Sequence, residues 1–164
     1  VAELATVQEI CESKLGYVEG KNNDTIAGKW YGLNHQPWCA MDASKTFFDA
    51  GRIREVAPKN KPKGFASCDE WLKYLAKNGQ LVPIGEAKAD DLFFFQFDDD
   101  AAPDHVGILK SNNARKKFAL IYESNTSSGV RGSQSNGDGT YLRKRDYSLI
   151  MAVARPKPIK EKKK

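Results

Sequence analysis

Cys39 stands behind Gln-Pro-Trp in "GLNHQPWCAMDASKTFFDAG", residues 32–51, at what reads as the start of a helix. Backbone N–H groups and the helix dipole favour negative charge there, so a thiol at that place ionises more readily. Thiolate chemistry also needs a base, and the base needs a group to orient it. The chain has two histidines. His35 lies in the loop four residues before Cys39, and His105 opens "HVGILK" directly after the acidic turn "DDDAAPD". At a strand mouth beside Gly107, His105 is the better placed to reach across to a helix start. In the next strand, "KFALIYESN", Glu123 and Asn125 are expected on one face, opposite Phe118, Leu120 and Tyr122. An acid and an amide projecting together can fix an imidazole's tautomer and orientation. Taken alone, the same pair also fits an exposed strand edge.

The remaining cysteines test this reading. Cys11, Cys39 and Cys68 are odd in number, widely spaced and without a CxxC pair, so neither a zinc site nor a disulfide framework is expected. Cys11 falls on the apolar stripe of a helix and reads as core. Cys68 lies in the first turn of a helix, so the dipole argument for Cys39 applies to it equally. Position does not separate the two; partners must. Asp98, Asp99, Asp100 and Asp104 could bind a hard cation or attract a substrate amine, but they lack the spacing of an EF-hand loop and read as a solvated turn.

The elements that must hold these residues are legible from periodicity. In "ELATVQEICESKLGY", Leu4, Val7, Ile10, Cys11 and Leu15 make one helical stripe. "EGKNNDTIAGKWYGLN" reads as a polar loop carrying Trp30 and Tyr31. A second helix is expected from Pro37 or Trp38 to Ala50, stopped by Gly51, with Cys39, Ala43 and Phe47 on its inward stripe. "SCDEWLKYLAKNG" predicts a third, with Ser67 and Glu70 as a capping box and Gly79 as its end. After Gly79 the texture turns to strands: 91–97, 105–110, 117–124, 140–145 and 149–156. Helices followed by antiparallel strands indicate an α+β fold.

A chain of 164 residues suits one domain, expected over 1–155, with a tail at 156–164. The net charge of +5 comes from that end: six Lys and Arg between 155 and 164 against Glu161 leave residues 1–154 formally neutral. A neutral body argues against a nucleic-acid-binding surface. "RPKPIKEKKK" reads as a solvated linker or end, with contact to an anionic polymer as the lesser alternative. No apolar run is long enough to span a bilayer, and none near the start reads as a signal peptide, so synthesis in the cytoplasm is expected.

In the order Cys, His, Glu, Asn the sequence resembles the CHAP family, cysteine- and histidine-dependent amidohydrolases and peptidases of papain-like fold. "PWCAMDASKTFFDAG", "ADDLFFFQF", "DHVGIL" and "YESNT" are similar to its cysteine helix, its "GDLVFF" and "HVGIV" strands and its acidic-Asn strand. "GYVEGKNNDTIAGKWYG" is similar to the N-terminal portion of phage endolysins in this family, and the resemblance covers roughly residues 16 to 155. It implies Cys39 as nucleophile, His105 as base, Glu123 as the histidine's partner and Asn125 as a supporting polar residue. Backbone N–H groups at the helix start would form the oxyanion hole, with Gln36 and Trp38 as further oxyanion or substrate contacts. The implied substrate is bacterial peptidoglycan, cut at the sugar–peptide amide (an N-acetylmuramoyl-L-alanine amidase) or within the stem or cross-bridge peptide. The implied setting is a phage endolysin made in the host bacterial cytoplasm as a monomer, reaching the wall after membrane permeabilisation, its tail leading to a wall-binding domain.

Cys68 has no counterpart in the resemblance and is expected to be structural or surface. Two departures stand out. Asp90 occupies the usual Gly position before the strand aspartate, and residues 30–38 hold no carboxylate, so the calcium loop of some relatives is not expected. No cofactor or metal is expected. A papain-like acyltransferase or deamidase would use the same residues, and a non-catalytic wall-binding module is the second alternative.

Overall fold

The computed structural model describes residues 3–126 and 137–159. Among these, four α-helices precede and cover a six-stranded sheet whose pairings are all antiparallel, an α+β architecture. The helices are α1 (Val7–Ser13), α2 (Ile26–Tyr31), α3 (Cys39–Asp49) and α4 (Cys68–Lys77). Each start is written locally. Thr6 and Glu9 form a reciprocal capping box on α1, Thr25 caps α2 through the Gly28 N–H, and Ser67 caps α4 through the Glu70 N–H. Leu4 precedes α1 and is exposed, so the inward stripe begins at Val7. α3 starts one or two residues later than periodicity implies: Trp38 is its N-cap, with no side-chain cap, and Pro37 lies outside it.

α2 was not expected. Its six residues include Gly28, and helices so short gain little from intrinsic propensity. Two caps hold it, Thr25 at one end and left-handed Gly32 at the other. Gly28 is also required sterically, because a Cβ would come within 2.8 Å of the Asn34 and Thr25 side-chain oxygens.

The strands are β1 (Leu81–Val82), β2 (Leu92–Phe95), β3 (His105–Asn113), β4 (Phe118–Thr126), β5 (Gly139–Asp146) and β6 (Ile150–Ala154). Their order is β1-β6-β2-β3-β4-β5, so the last strand enters between the first two. Five match expected strands; the two-residue β1 is too short to leave a periodic trace. Alternation sorts β2 and β3 onto two faces. Leu92, Phe94, Val106, Ile108 and Tyr122 meet Ala43, Phe47, Trp71 and Leu75 of the helices. Phe93, Phe95, Leu109, Ile121 and Val153 form a smaller cluster on the opposite face. Trp71 is fully buried, its indole N–H donating to the Val56 carbonyl at 3.0 Å and its ring edge-on to Phe94. Side chains of this size contribute roughly 1.5–3 kcal/mol each through burial, which fixes α3 and α4 against the sheet.

The chain leaves this body later than residue 155. Pro156 is buried and the Lys157 N–H donates to the Glu55 carbonyl at 2.9 Å. The last part of the tail, 160–164, lies outside the described residues, as does the stretch 127–136 that contains most of the polar loop after β4. Among the described residues, no helix is long and apolar enough to cross a membrane.

Candidate active site

Cys39 is the first residue of α3, which packs on β3 and β4, and its neighbours Ala40, Ala43 and Phe47 are buried in the core. The sulfur therefore sits at an N-terminus anchored by core packing, with the residue only 6% exposed. β3 begins at His105, which pairs with Phe95 of β2. The imidazole is fully buried against the rings of Phe95 and Phe97, at centroid distances of 5.3 and 6.0 Å. Its Nε2 and the Glu123 Oε1 are 2.9 Å apart. That leaves Nδ1 for the thiol: it is buried and makes no hydrogen bond among the described residues. Cys39 and His105 are close enough for each to shift the other's proton affinity, without an aligned hydrogen bond between them. Loose contacts of this kind are usual in resting sites and tighten when substrate binds.

Glu123 reaches the imidazole because Gly107 stands opposite it across the β3–β4 ladder. A Cβ at 107 would lie 3.0 Å from the Glu123 Cγ and 2.8 Å from the Tyr122 carbonyl oxygen, so the close approach requires glycine. Arg145 on β5 completes the arrangement. Its Nε donates to Glu123 Oε2 at 2.7 Å and its Nη2 to Oε1 at 2.6 Å, a bidentate and almost wholly buried pair. The guanidinium also lies 5.3 and 5.2 Å from the Phe95 and Phe97 ring centres. Nothing in "TYLRKR" marks Arg145 as functional; its partner is 22 residues away and becomes visible only through the strand register.

Cys68 was expected to be structural or surface. Instead its sulfur lies 3.6 Å from that of Cys39, because α4 also begins at its cysteine and the two helix starts converge. The two thiols shift in opposite directions. Cys39 is held well below the ordinary thiol value, first by the Cys68 hydrogen bond and then by His105, against the cost of burial. Cys68, half-buried and donating to that sulfur, is pushed well above by that bond and by its partial loss of solvent. Burial works against a charged His105, but the Cys39 sulfur and Glu123 outweigh it and raise its pKa to about 9. Burial likewise opposes ionised Glu123, and Arg145 with His105 overcomes it and lowers its pKa. The result is a buried row of alternating sign: thiolate, imidazolium, carboxylate, guanidinium.

The other expected residues are placed as follows. Asn125 is buried, but it has φ +60° and sits in a bulge between Ser124 and Thr126. The two-residue alternation that put it on one face with Glu123 is interrupted there. Trp38 is not open to a substrate: it is fully buried, edge-on to Tyr17, with its indole N–H donating to Glu19 at 2.7 Å. It braces the start of α3. Gln36 is exposed and lines a groove of about 420 Å3 with Tyr31, Pro37, Met41, Ser67 and Glu70, residues that flank both cysteines. His35 is exposed and occupied elsewhere, its Nδ1 2.8 Å from the Asn22 carbonyl oxygen. Cys11 is core, its thiol pushed up to about 12 by burial.

Asp98, Asp100 and Asp104 bring carboxylate oxygens within 4.8 Å of one another. The Asp100, Ala102 and Phe97 N–H groups donate to Asp98, Asp100 and Asp104 respectively, so these side chains cap their own turn. Asp90 adopts φ +79°, a conformation glycine takes without strain, and its carboxylate accepts from Arg52 and Gln8. The altered turn is thereby tied to α1 and to the segment after α3.

Comparison with known proteins adds no family to this geometry: no family model matches the chain. No curated protein matches it either.

Proposed function

We propose that the protein is a cysteine-dependent amidohydrolase of the papain-like, CHAP type that cleaves an amide bond in bacterial peptidoglycan, as phage endolysins do. The observation that carries the chemistry is the buried His105 ring, bonded to Glu123 through one nitrogen and left open at the other beside an acidified Cys39. The substrate class rests on the sequence resemblance.

In this reading the Cys39 thiolate attacks the carbonyl carbon of the scissile amide. Negative charge moves to the carbonyl oxygen, where N–H groups at the start of α3, left without a side-chain cap, receive it. The His105 imidazolium gives its proton to the departing amine, and the neutral ring then draws a proton from the water that releases the acyl group from sulfur. Glu123, held by Arg145, keeps the ring in one orientation throughout. Phe95 and Phe97 shield the imidazole from bulk water.

Digestion of purified cell walls, with mass spectrometry of the soluble fragments, tests the reading. Fragments carrying new amino groups, absent with Cys39→Ala, support it and identify the bond. Fragments that appear equally with Cys39→Ala, or new reducing sugar ends instead of amines, would overturn it. A transferase would incorporate a labelled acceptor amine. A wall-binding module would sediment with walls in both forms and release nothing from either.

A further inference from the structure

Two sulfur atoms 3.6 Å apart at converging helix starts are more than an acidified nucleophile needs. We infer that Cys68 is a resolving thiol: when Cys39 is oxidised, Cys68 captures it as a reversible Cys39–Cys68 disulfide that silences the site and protects the sulfur from further oxidation. The inference rests on the proposed role of Cys39 only where it speaks of silencing; the bond itself can be detected without any activity.

Three observations carry it. Closing the gap to the ~2.05 Å of a disulfide takes about 1.5 Å. Cys68 is partly exposed where Cys39 is buried, and its helix neighbours Ser67 and Glu70 line an open groove, so a small oxidant approaches the pair from the Cys68 side. The third thiol, Cys11, sits in the apolar core with its proton held tightly, so it serves as an internal control rather than a competitor.

The oxidant class is a hydroperoxide. The Cys39 thiolate attacks one peroxide oxygen; the S–O bond forms, the O–O bond breaks, and the alkoxide or hydroxide leaves and takes a proton, giving sulfenic acid. Loss of the Cys39 charge removes the largest of the influences that hold the proton on Cys68, leaving its burial and Asp104. The Cys68 sulfur then attacks the sulfenic sulfur, the S–O bond breaks, and hydroxide departs with the Cys68 proton as water. Two thiols lose two electrons in all, and the peroxide becomes an alcohol or water. A small dithiol reverses the bond by exchange.

The test is hydrogen peroxide added to the fully reduced protein, followed by peptide mapping before and after dithiothreitol. Expected is a cross-linked peptide joining Cys39 to Cys68, Cys11 still reduced, and full recovery of free thiols. In Cys68→Ser and, as a second form, Cys68→Ala, Cys39 should instead accumulate as sulfinic acid that dithiothreitol does not reverse, at least tenfold more than in the parent. Equal sulfinic acid at Cys39 in parent and variants, with no cross-linked peptide, would overturn the inference. A cross-linked peptide in a protein that never digests walls would retain the redox device and reject the hydrolase reading.

Discussion

The starts of α3 and α4 offer a controlled comparison within one molecule. Each helix begins with a cysteine, each points its positive end at the same small volume, and the two sulfur atoms are 3.6 Å apart. Yet Cys39 is acidified and Cys68 is made less acidic. The difference lies in what each helix start faces. α4 is capped by Ser67, and Asp104 adds negative charge near its thiol. α3 has no side-chain cap, and its cysteine receives the Cys68 hydrogen bond and the influence of His105. The dipole acts equally at both places, so partners decide which sulfur carries charge.

The sharpest way to break this comparison is to delete each sulfur in turn. Cys39→Ala should lower wall solubilisation by at least about a thousandfold, while Cys68→Ala should cost about ten- to 150-fold, one hydrogen bond to a charged group at roughly 1.5–3 kcal/mol. Comparable losses would mean that the two helix starts are equivalent after all. Next in size is His105→Ala, expected to cost about a hundredfold or more in turnover, with wall binding measured by sedimentation unchanged.

Arg145→Met probes the far end of the charge row. It leaves the Glu123 carboxylate buried with only His105 beside it, a loss expected at about 3–5 kcal/mol of stability, read as a lower thermal midpoint. A midpoint equal to the parent's would remove Arg145 from the account.

The pH profile sharpens the comparison further. Activity requires Cys39 ionised, so it rises with pH through a limb below the ordinary thiol range, and it requires His105 protonated, so it falls through a limb near 9. Cys68→Ala should move the acidic limb upward, because the hydrogen bond that holds the thiolate is gone. The smallest effect belongs to His35→Ala, expected to change turnover by less than about twofold, since its ring is spent on the Asn22 carbonyl.

How far these features can be read in the sequence follows from the range of the physics behind them. α1, α3, α4 and five strands come from periodicity and caps, which act over three or four residues. α2 escapes because its caps, not its pattern, hold it. His105 and Glu123 are legible because a strand mouth and strict alternation place them, and alternation fails where Asn125 turns left-handed, a conformation asparagine tolerates better than most. Trp38 reads as a substrate contact until its indole is found buried and spent on Glu19. Cys68 and Arg145 were beyond reach. Their partners lie 29 and 22 residues away, and only the docking of α4 and the β4–β5 register bring them in.

The central claim, that His105 and Cys68 together keep Cys39 ionised, is tested most directly by alkylating the reduced protein across pH and following each cysteine by peptide mass spectrometry. The account predicts that Cys39 reacts as a thiolate well below the ordinary thiol pKa of about 8.5, that Cys68 and Cys11 lag far behind, and that His105→Ala returns Cys39 toward ordinary behaviour. A Cys39 that titrates like a free thiol in the parent, or keeps its low profile after His105→Ala, would contradict it.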